Sequence, residues 1–516
     1  MDRHRASGVI GRIGPIGLIG LMLWIGSAAP AAAQDLSSFE QRTTVHKLAN
    51  GWTFLIVERP GAPVFGFCTV ADVGSAQEVS GITGLAHMFE HMAFKGTPNI
   101  GTRDWPSEQK ALAAVEAAYQ AWQTERLAKA PDPKKLESLL ADFRQKQKEA
   151  AGFVVHDEFD DLLTREGGVG MNASTGADDT NFFYALPANK LELFAYLESE
   201  RFLHPVFREF YEERDVVMEE RRMEESSGFG RLMEQFTIAS FQAHPYQHPG
   251  IGYVSDLKSF TTTDAEAFFK TYYAPANLVT AIVGNVRAAE VIPLLDKYFG
   301  RIPARPAPPP LRTVEPPQVA EKIVLLEDAA QPLYLEAYHK PANSDPDQPV
   351  YDAIDDILTG GRTSRLYRSL VRDKKIAVQT SSFSNFPGTK YPNLLTLFAV
   401  PAFGASNEQV QTALREEIDR LKREDVTAEE LARFKARAKA RLLRSMRSNV
   451  QLAQRFADAQ RLYGDWRELF HHLDRLDQVT PADIRRVANR TFQKSNRTVA
   501  MIVTQAASDK PSEKKP

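Results

Sequence analysis

Cysteine is nearly absent. Cys68 is the one thiol in 516 residues, so no intrachain disulfide can form, and no Cys-x-x-Cys pair exists. It lies in an apolar, strand-like run and reads as a buried small hydrophobe, not a nucleophile. An excess of positive charge is also missing. Lys and Arg number 63 against 66 Asp and Glu, a formal charge of −3 that leaves no basic footprint for nucleic acid. A Walker-type Gly-x-x-x-x-Gly-Lys loop is lacking too. The apolar run at 16–25 is too short to span a bilayer.

That run has a different meaning. Arg3, Arg5 and Arg12 precede it, and Pro30-Ala31-Ala32-Ala33-Gln34 ends it. A charged start, a short apolar core and an Ala-x-Ala site make a secretory signal over 1–33, cut after Ala33. No cysteine near the cleavage site offers a lipid anchor. Cleavage removes three arginines and Asp2, taking the formal charge from −3 to −5. The expectation is an exported bacterial protein, periplasmic, with no stable membrane span after cleavage.

What remains is an ordinary soluble composition, 43% hydrophobic and 25% charged, long enough for two or more domains. The chain starts as β. Thr44-Val45-His46-Lys47-Leu48 and Trp52-Thr53-Phe54-Leu55-Ile56-Val57 flank Asn50-Gly51, which predicts a two-residue hairpin. A third strand follows over 64–70. The segment 107–151 is rich in Ala, Glu, Lys and Gln, with a break at Pro131-Asp132-Pro133, and predicts an inserted helical hairpin. Two short strands about a Gly/Asp turn are expected at 170–186, then helices over 188–203 and 206–226. These elements form an N-terminal domain over 34–302. A Pro-rich linker occupies 303–320, and a second domain runs over 321–505. A polar tail is expected at 506–516.

The two halves end alike. Thr261-x-x-Asp264, a helix and a strand from Asn277 correspond to Thr480-x-x-Asp483, a helix and a strand from Asn496, at a constant offset of 219 residues. Gly96 and Gly361 pair at an offset of 265, so the first half is longer by 46, about the size of the hairpin. The chain reads as an internal duplication of α+β class: two α/β-sandwich-type domains, each an antiparallel-rich sheet packed by helices.

The chemistry concentrates in His87-Met88-Phe89-Glu90-His91. On a helix, His87 and His91 lie one turn apart on one face, with roughly 6 Å of axial rise between them. Two imidazoles so placed can share one zinc ion, and Glu90 can act as general base toward a water at its open position. The order His-x-x-Glu-His inverts the commoner His-Glu-x-x-His site. At the duplicated positions stand Asp352, Asp355 and Asp356, so the second half has no histidine-based site. A third ligand is needed. Glu213 and Glu220, seven apart and nearly on one helical face, are both candidates, and spacing does not choose between them. His244-Pro245-Tyr246-Gln247-His248-Pro249 suggests a further metal pair, but its prolines argue for an irregular loop instead.

Three ordered stretches carry a resemblance. His87-x-x-Glu90-His91-Met-Ala-Phe-Lys-Gly-Thr, then Asn172-Ala173-Ser174-Thr175, then the run from Glu213 to Glu220 resemble the pitrilysin, or insulin-degrading enzyme, family of zinc peptidases. The likeness covers essentially the whole mature chain. It implies one zinc per chain, held by His87, His91 and Glu220, with Glu213 steadying a ligating histidine. It implies that Asn172, Ala173, Ser174 and Thr175 form an edge strand on which substrate lies as an added strand. It further implies a closing, clamshell-like chamber for peptides and unfolded segments. Because this chain has half the domain content of full-length clamshell members, the resemblance implies a homodimer or a heterodimer with a related subunit.

Two features depart from the family. The gap from His91 to Glu220 is 129 residues, lengthened by the hairpin. The family's substrate-contacting Arg has its match in Arg372, but Val378 falls near the Tyr expected seven residues later. The competing reading is a peptide-binding or partner-dependent subunit, whose usual signature is a broken zinc motif. Here the motif is intact.

Overall fold

The computed structural model describes residues 36–504. The signal and the tail expected from sequence lie outside the described residues. Among those described, no helix is long and apolar enough to cross a membrane.

Six strands make the first sheet: β1 (Thr43–Lys47), β2 (Thr53–Glu58), β3 (Val64–Ala71), β4 (Val169–Thr175), β5 (Thr180–Pro187) and β6 (Leu278–Gly284), in the order β1-β2-β6-β3-β5-β4. Five make the second: β7 (Lys322–Asp328), β8 (Leu333–Lys340), β9 (Ala377–Phe386), β10 (Asn393–Pro401) and β11 (Arg497–Thr504), in the order β7-β11-β8-β10-β9. Each sheet has one parallel pair, β2 with β6 and β7 with β11; all other pairings are antiparallel. Remove β1 and the two topologies coincide, which is the duplication in three dimensions.

The repeated ends show why the pattern persists. Thr261 and Thr480 each cap a helix in a reciprocal box with the aspartate three residues on. The Asn277 amide then donates to the carbonyls of Tyr272 and Asp72, and Asn496 donates likewise to Thr491 and His339. One side chain thus ties helix end to strand start in both copies.

Helices cover both faces of each sheet, and two of them cross over. The helix Gly228–Ser240 of the first half packs on β7 and β11 of the second. The helix Asn449–Tyr463 of the second packs on β3 and β6 of the first. Gly66 on β3 permits this approach, because a Cβ there would meet Val450 at 2.7 Å. The exchange joins the halves through two apolar clusters, one around Phe456 and Trp466 and the other around Phe236 and Leu335.

Local details differ from the sequence expectation. The first hairpin closes over three residues, not two: Leu48 N–H bonds to the Trp52 carbonyl, and Gly51 takes φ of 101°. A left-handed glycine at the third loop position suits that longer turn. The helix expected from 206 begins only at Phe210, after Glu209 at φ of 56°. Helices Trp105–Arg126 and Pro133–Ala151 pack together as a hairpin. Glu158–Arg165 and Gly228–Ser240 are helices that the periodicity reading did not single out.

Candidate metal centre

The histidine helix runs Leu85–Met92. Leu85, Ala86, Met88, Phe89 and Met92 are buried on the core side, which leaves His87, Glu90 and His91 on the opposite face. Gly84 precedes it at φ of 95°, too close to the Ile251 carbonyl for any side chain. The helix start lacks a cap of its own. Glu78 supplies one from outside, accepting from Gly84 N–H at 2.8 Å and Ala86 N–H at 2.7 Å. Burial pushes the Glu78 carboxyl up to about 8 despite these bonds.

The glutamate helix Phe210–Ser226 lies alongside. It turns two carboxylates toward the histidines in different ways. Glu220 Oε2 stands 3.7 Å from His87 Nε2 and 3.8 Å from His91 Nε2. Glu213 Oε1 takes the far side of the His91 ring, 2.8 Å from Nδ1, and its other oxygen meets Lys95 Nζ at 2.7 Å.

The gaps at Glu220 are too wide for hydrogen bonds. They suit donors that share one ion: tetrahedral bonds of ~2.1 Å place ligand atoms roughly 3.4 Å apart. Ligand atoms of His87, His91 and Glu220 lie within 4.8 Å of one another, the one such group of His, Cys, Asp or Glu among the described residues. Two imidazoles and a carboxylate, one imidazole steadied by a second carboxylate, fit a zinc ion.

Electrostatics agree with that fit. Burial, then the neighbouring His91, lowers His87 to about 4, so it is neutral and able to ligate at ordinary pH. Burial works against a charge on His91 as well, but Glu213 and Glu220 outweigh it and raise the group. The His91 bond, with Lys95, holds Glu213 down at about 2. Burial raises Glu90 above the usual carboxylate value, against the opposing effect of Thr175 beside it.

Thr175 ends β4, the outermost strand of the first sheet. Residues 172–175 pair with β5 on one side only, and the histidine helix packs against this strand. Ala173 is buried, while Asn172 and Ser174 are exposed. The structure therefore gathers His87, Glu90, His91, Glu213, Glu220 and the 172–175 edge.

It does not gather Arg372. That residue is exposed on the π-helical turn Tyr367–Asp373 and pairs with the adjacent Asp373. Among the described residues no contact joins it to the metal group. Val378 is 59% exposed on β9, the edge of the second sheet. The His244–His248 segment forms one 3-10 turn, Pro245–Gln247, and His244 Nδ1 accepts from Tyr246 N–H. Lys95 and Glu78 escaped the sequence reading. Lys95 lies in the turn after the helix ends at Met92, and Glu78 reaches the helix from a loop before it, so helical spacing signals neither.

Two family models match the chain. Residues 55–141 match Insulinase (Peptidase family M16), and residues 259–438 match the Peptidase M16 inactive domain. Zinc protease PqqE of Helicobacter pylori is 28% identical over 439 residues, covering 83% of this chain and 85% of that protein. The crystal structure of a protease from Helicobacter pylori superposes with a TM-score of 0.74 at 26% identity, over 89% of this chain and 99% of that one. The periplasmic protease PqqL of Escherichia coli shares the fold at 18% identity and a TM-score of 0.62, over 90% of this chain but 48% of that one.

Proposed function

Because the chain belongs to the M16 family of peptidases, the two matches spanning more than half its length, we propose that it is a zinc-dependent endopeptidase. One observation carries the reading: His87 Nε2, His91 Nε2 and Glu220 Oε2 converge beside Glu90 and an open strand edge. When bound, zinc supplies Lewis acidity to a scissile carbonyl and to water. Glu90 accepts a proton from the attacking water and returns it to the leaving amine. Glu213 holds the His91 ring, and the Asn172-Ala173-Ser174-Thr175 edge takes the peptide as an added strand. Substrates are peptides or unfolded segments, because only an extended chain can lie along such an edge.

The protein acts after export to the periplasm, in keeping with the signal at 1–33. It closes its chamber with a second copy or a related subunit. Arg372, remote in contacts from the metal group, contributes to substrate binding only across such a closed assembly. A second reading, a partner-dependent subunit that binds peptide without cutting it, draws on the inactive-domain match and on exposed Val378.

The test measures zinc content and cleavage of a peptide library for wild type and Glu90→Gln. We expect zinc in both and a loss of roughly 10²–10⁴-fold in turnover for the variant. Full activity in the variant removes Glu90 from its role. Zinc without cleavage in wild type, relieved by a partner chain, favours the second reading. Absence of zinc from wild type sinks the endopeptidase reading.

A further inference from the structure

The second half has no His-x-x-Glu-His stretch, yet it grips the end of β4. Three carboxylates of the first half meet there: Asp72 after β3, and Asp178 and Asp179 in the β4–β5 turn. Cations for Asp72 and Asp179 come from the other half. Arg461, 1% exposed on the crossed-over helix Asn449–Tyr463, reaches Asp72 at 3.1 Å and Asp179 at 2.8 Å. Lys390 Nζ meets Asp72 at 2.5 Å.

Asp178 is 2% exposed and joins the other half through that half's backbone. Its Oδ2 accepts from the backbone N–H groups of Thr389 at 2.5 Å and Lys390 at 2.9 Å, in the β9–β10 loop. Its Oδ1 accepts from Tyr246 Oη at 2.6 Å. Gly388 lets the loop come this near, since a Cβ there would meet both Asp178 Oδ2 and Tyr246 Oη at 2.4 Å. From the opposite side, the N–H groups of Ser75 and Ala76 bond to the Gly176 and Ala177 carbonyls. The turn is thus held between the halves. Thr175, which lies against Glu90, is three residues away.

We infer that Asp178 is a positioning residue: gripped by the 387–390 loop of the second half, it sets where the β4 edge lies relative to Glu90 and the metal group. The inference rests on the peptidase reading and deepens it. A carboxylate this buried, facing two backbone donors, fixes the turn in direction as well as distance. An extended peptide added to β4 inherits that register, so one of its bonds stands at the metal group. The half without a metal then takes part in catalysis by holding the strand that receives substrate.

Two full-length variants test this. Asp178→Asn keeps the side-chain shape but sets an uncharged amide against the loop donors, and Gly388→Ala pushes the loop away. The readouts are zinc content, amide hydrogen exchange, and steady-state kinetics on peptides of increasing length. We expect unchanged zinc and faster exchange over 169–180, with the histidine helix unaffected. KM should rise about tenfold, as for one lost charged hydrogen bond, for peptides long enough to run along β4. A peptide too short to reach past Thr175 should show little change.

A merely structural role would lower thermal stability and scale all peptides equally, and that result overturns the inference. So does unchanged exchange over 169–180 in both variants. Should wild type bind zinc yet cleave nothing, the peptidase reading falls, while the exchange measurement still decides the role of Asp178. If Asp178→Asn does not fold, Gly388→Ala carries the test.

Discussion

The same pair of helices occurs twice in this molecule with opposite chemistry. In the first half, His91 faces Glu213 and Glu220 across to the glutamate helix. In the second, Asp356 stands at the duplicated position on the helix Gln348–Thr359 and faces the helix Ala428–Ser445. That helix answers with Arg437 and Arg441, both bonded to the Asp356 carboxylate. The backbone brings the two helices together in each copy. Side-chain charge decides what fills the gap. Two imidazoles and a carboxylate converge as metal ligands, whereas in the second pair two guanidiniums already satisfy the aspartate. Among the described residues, only the first pair offers a metal-ligating group.

The largest effect should follow His91→Ala, which removes a ligand from the first pair. Bound zinc should fall from about one per chain to none, and peptide cleavage with it, by metal analysis and a fluorogenic assay.

Next in size is a pH effect in the second half, where Glu430 on the helix Ala428–Ser445 pairs with Arg365. Burial would raise Glu430, but its bonds with Arg365 and with Thr427 N–H hold it at about 2. A carboxyl depressed below its unfolded value stabilises above that value. The contribution, roughly 3 kcal/mol, should be lost as pH falls from about 5 through 2. Denaturant melts of wild type and Glu430→Gln should therefore differ most near neutrality and converge in acid.

Glu213→Gln should weaken zinc affinity by roughly 10–100-fold without abolishing it, because the ring of His91 loses its steadying carboxylate. Competition with a chelator reads this directly. An affinity equal to wild type would remove Glu213 from the site.

The smallest change is expected from Asp356→Asn. Arg437 and Arg441 are partly exposed and can turn to water, so stability should fall by only about 1 kcal/mol, with zinc content untouched. A drop in zinc would show that the two helix pairs are coupled.

The histidine helix was legible because its logic is local. Ligands one turn apart and an apolar opposite face are both functions of 3.6-residue spacing. The duplication was legible for a similar reason: capping boxes and the strands after them recur at fixed spacing. The choice between Glu213 and Glu220 was not. Both lie near one face of their helix, and only its placement against the histidines sends Glu220 to both Nε2 atoms and Glu213 to Nδ1. Nor did periodicity show that the helices Gly228–Ser240 and Asn449–Tyr463 cross between halves. An apolar stripe demands burial without naming the sheet that provides it.

Local spacing is enough to specify the repeated ends of the two halves and a helix able to present two imidazoles and a carboxylate in register, because bonded geometry imposes those periods. The packing of the helices and sheets sets which glutamate faces both Nε2 atoms, that no contact joins Arg372 to that group among the described residues, and that Asp178 is clamped by a loop 211 residues further on. Contacts at that separation depend on how whole sheets pack, and no local pattern of residues encodes them.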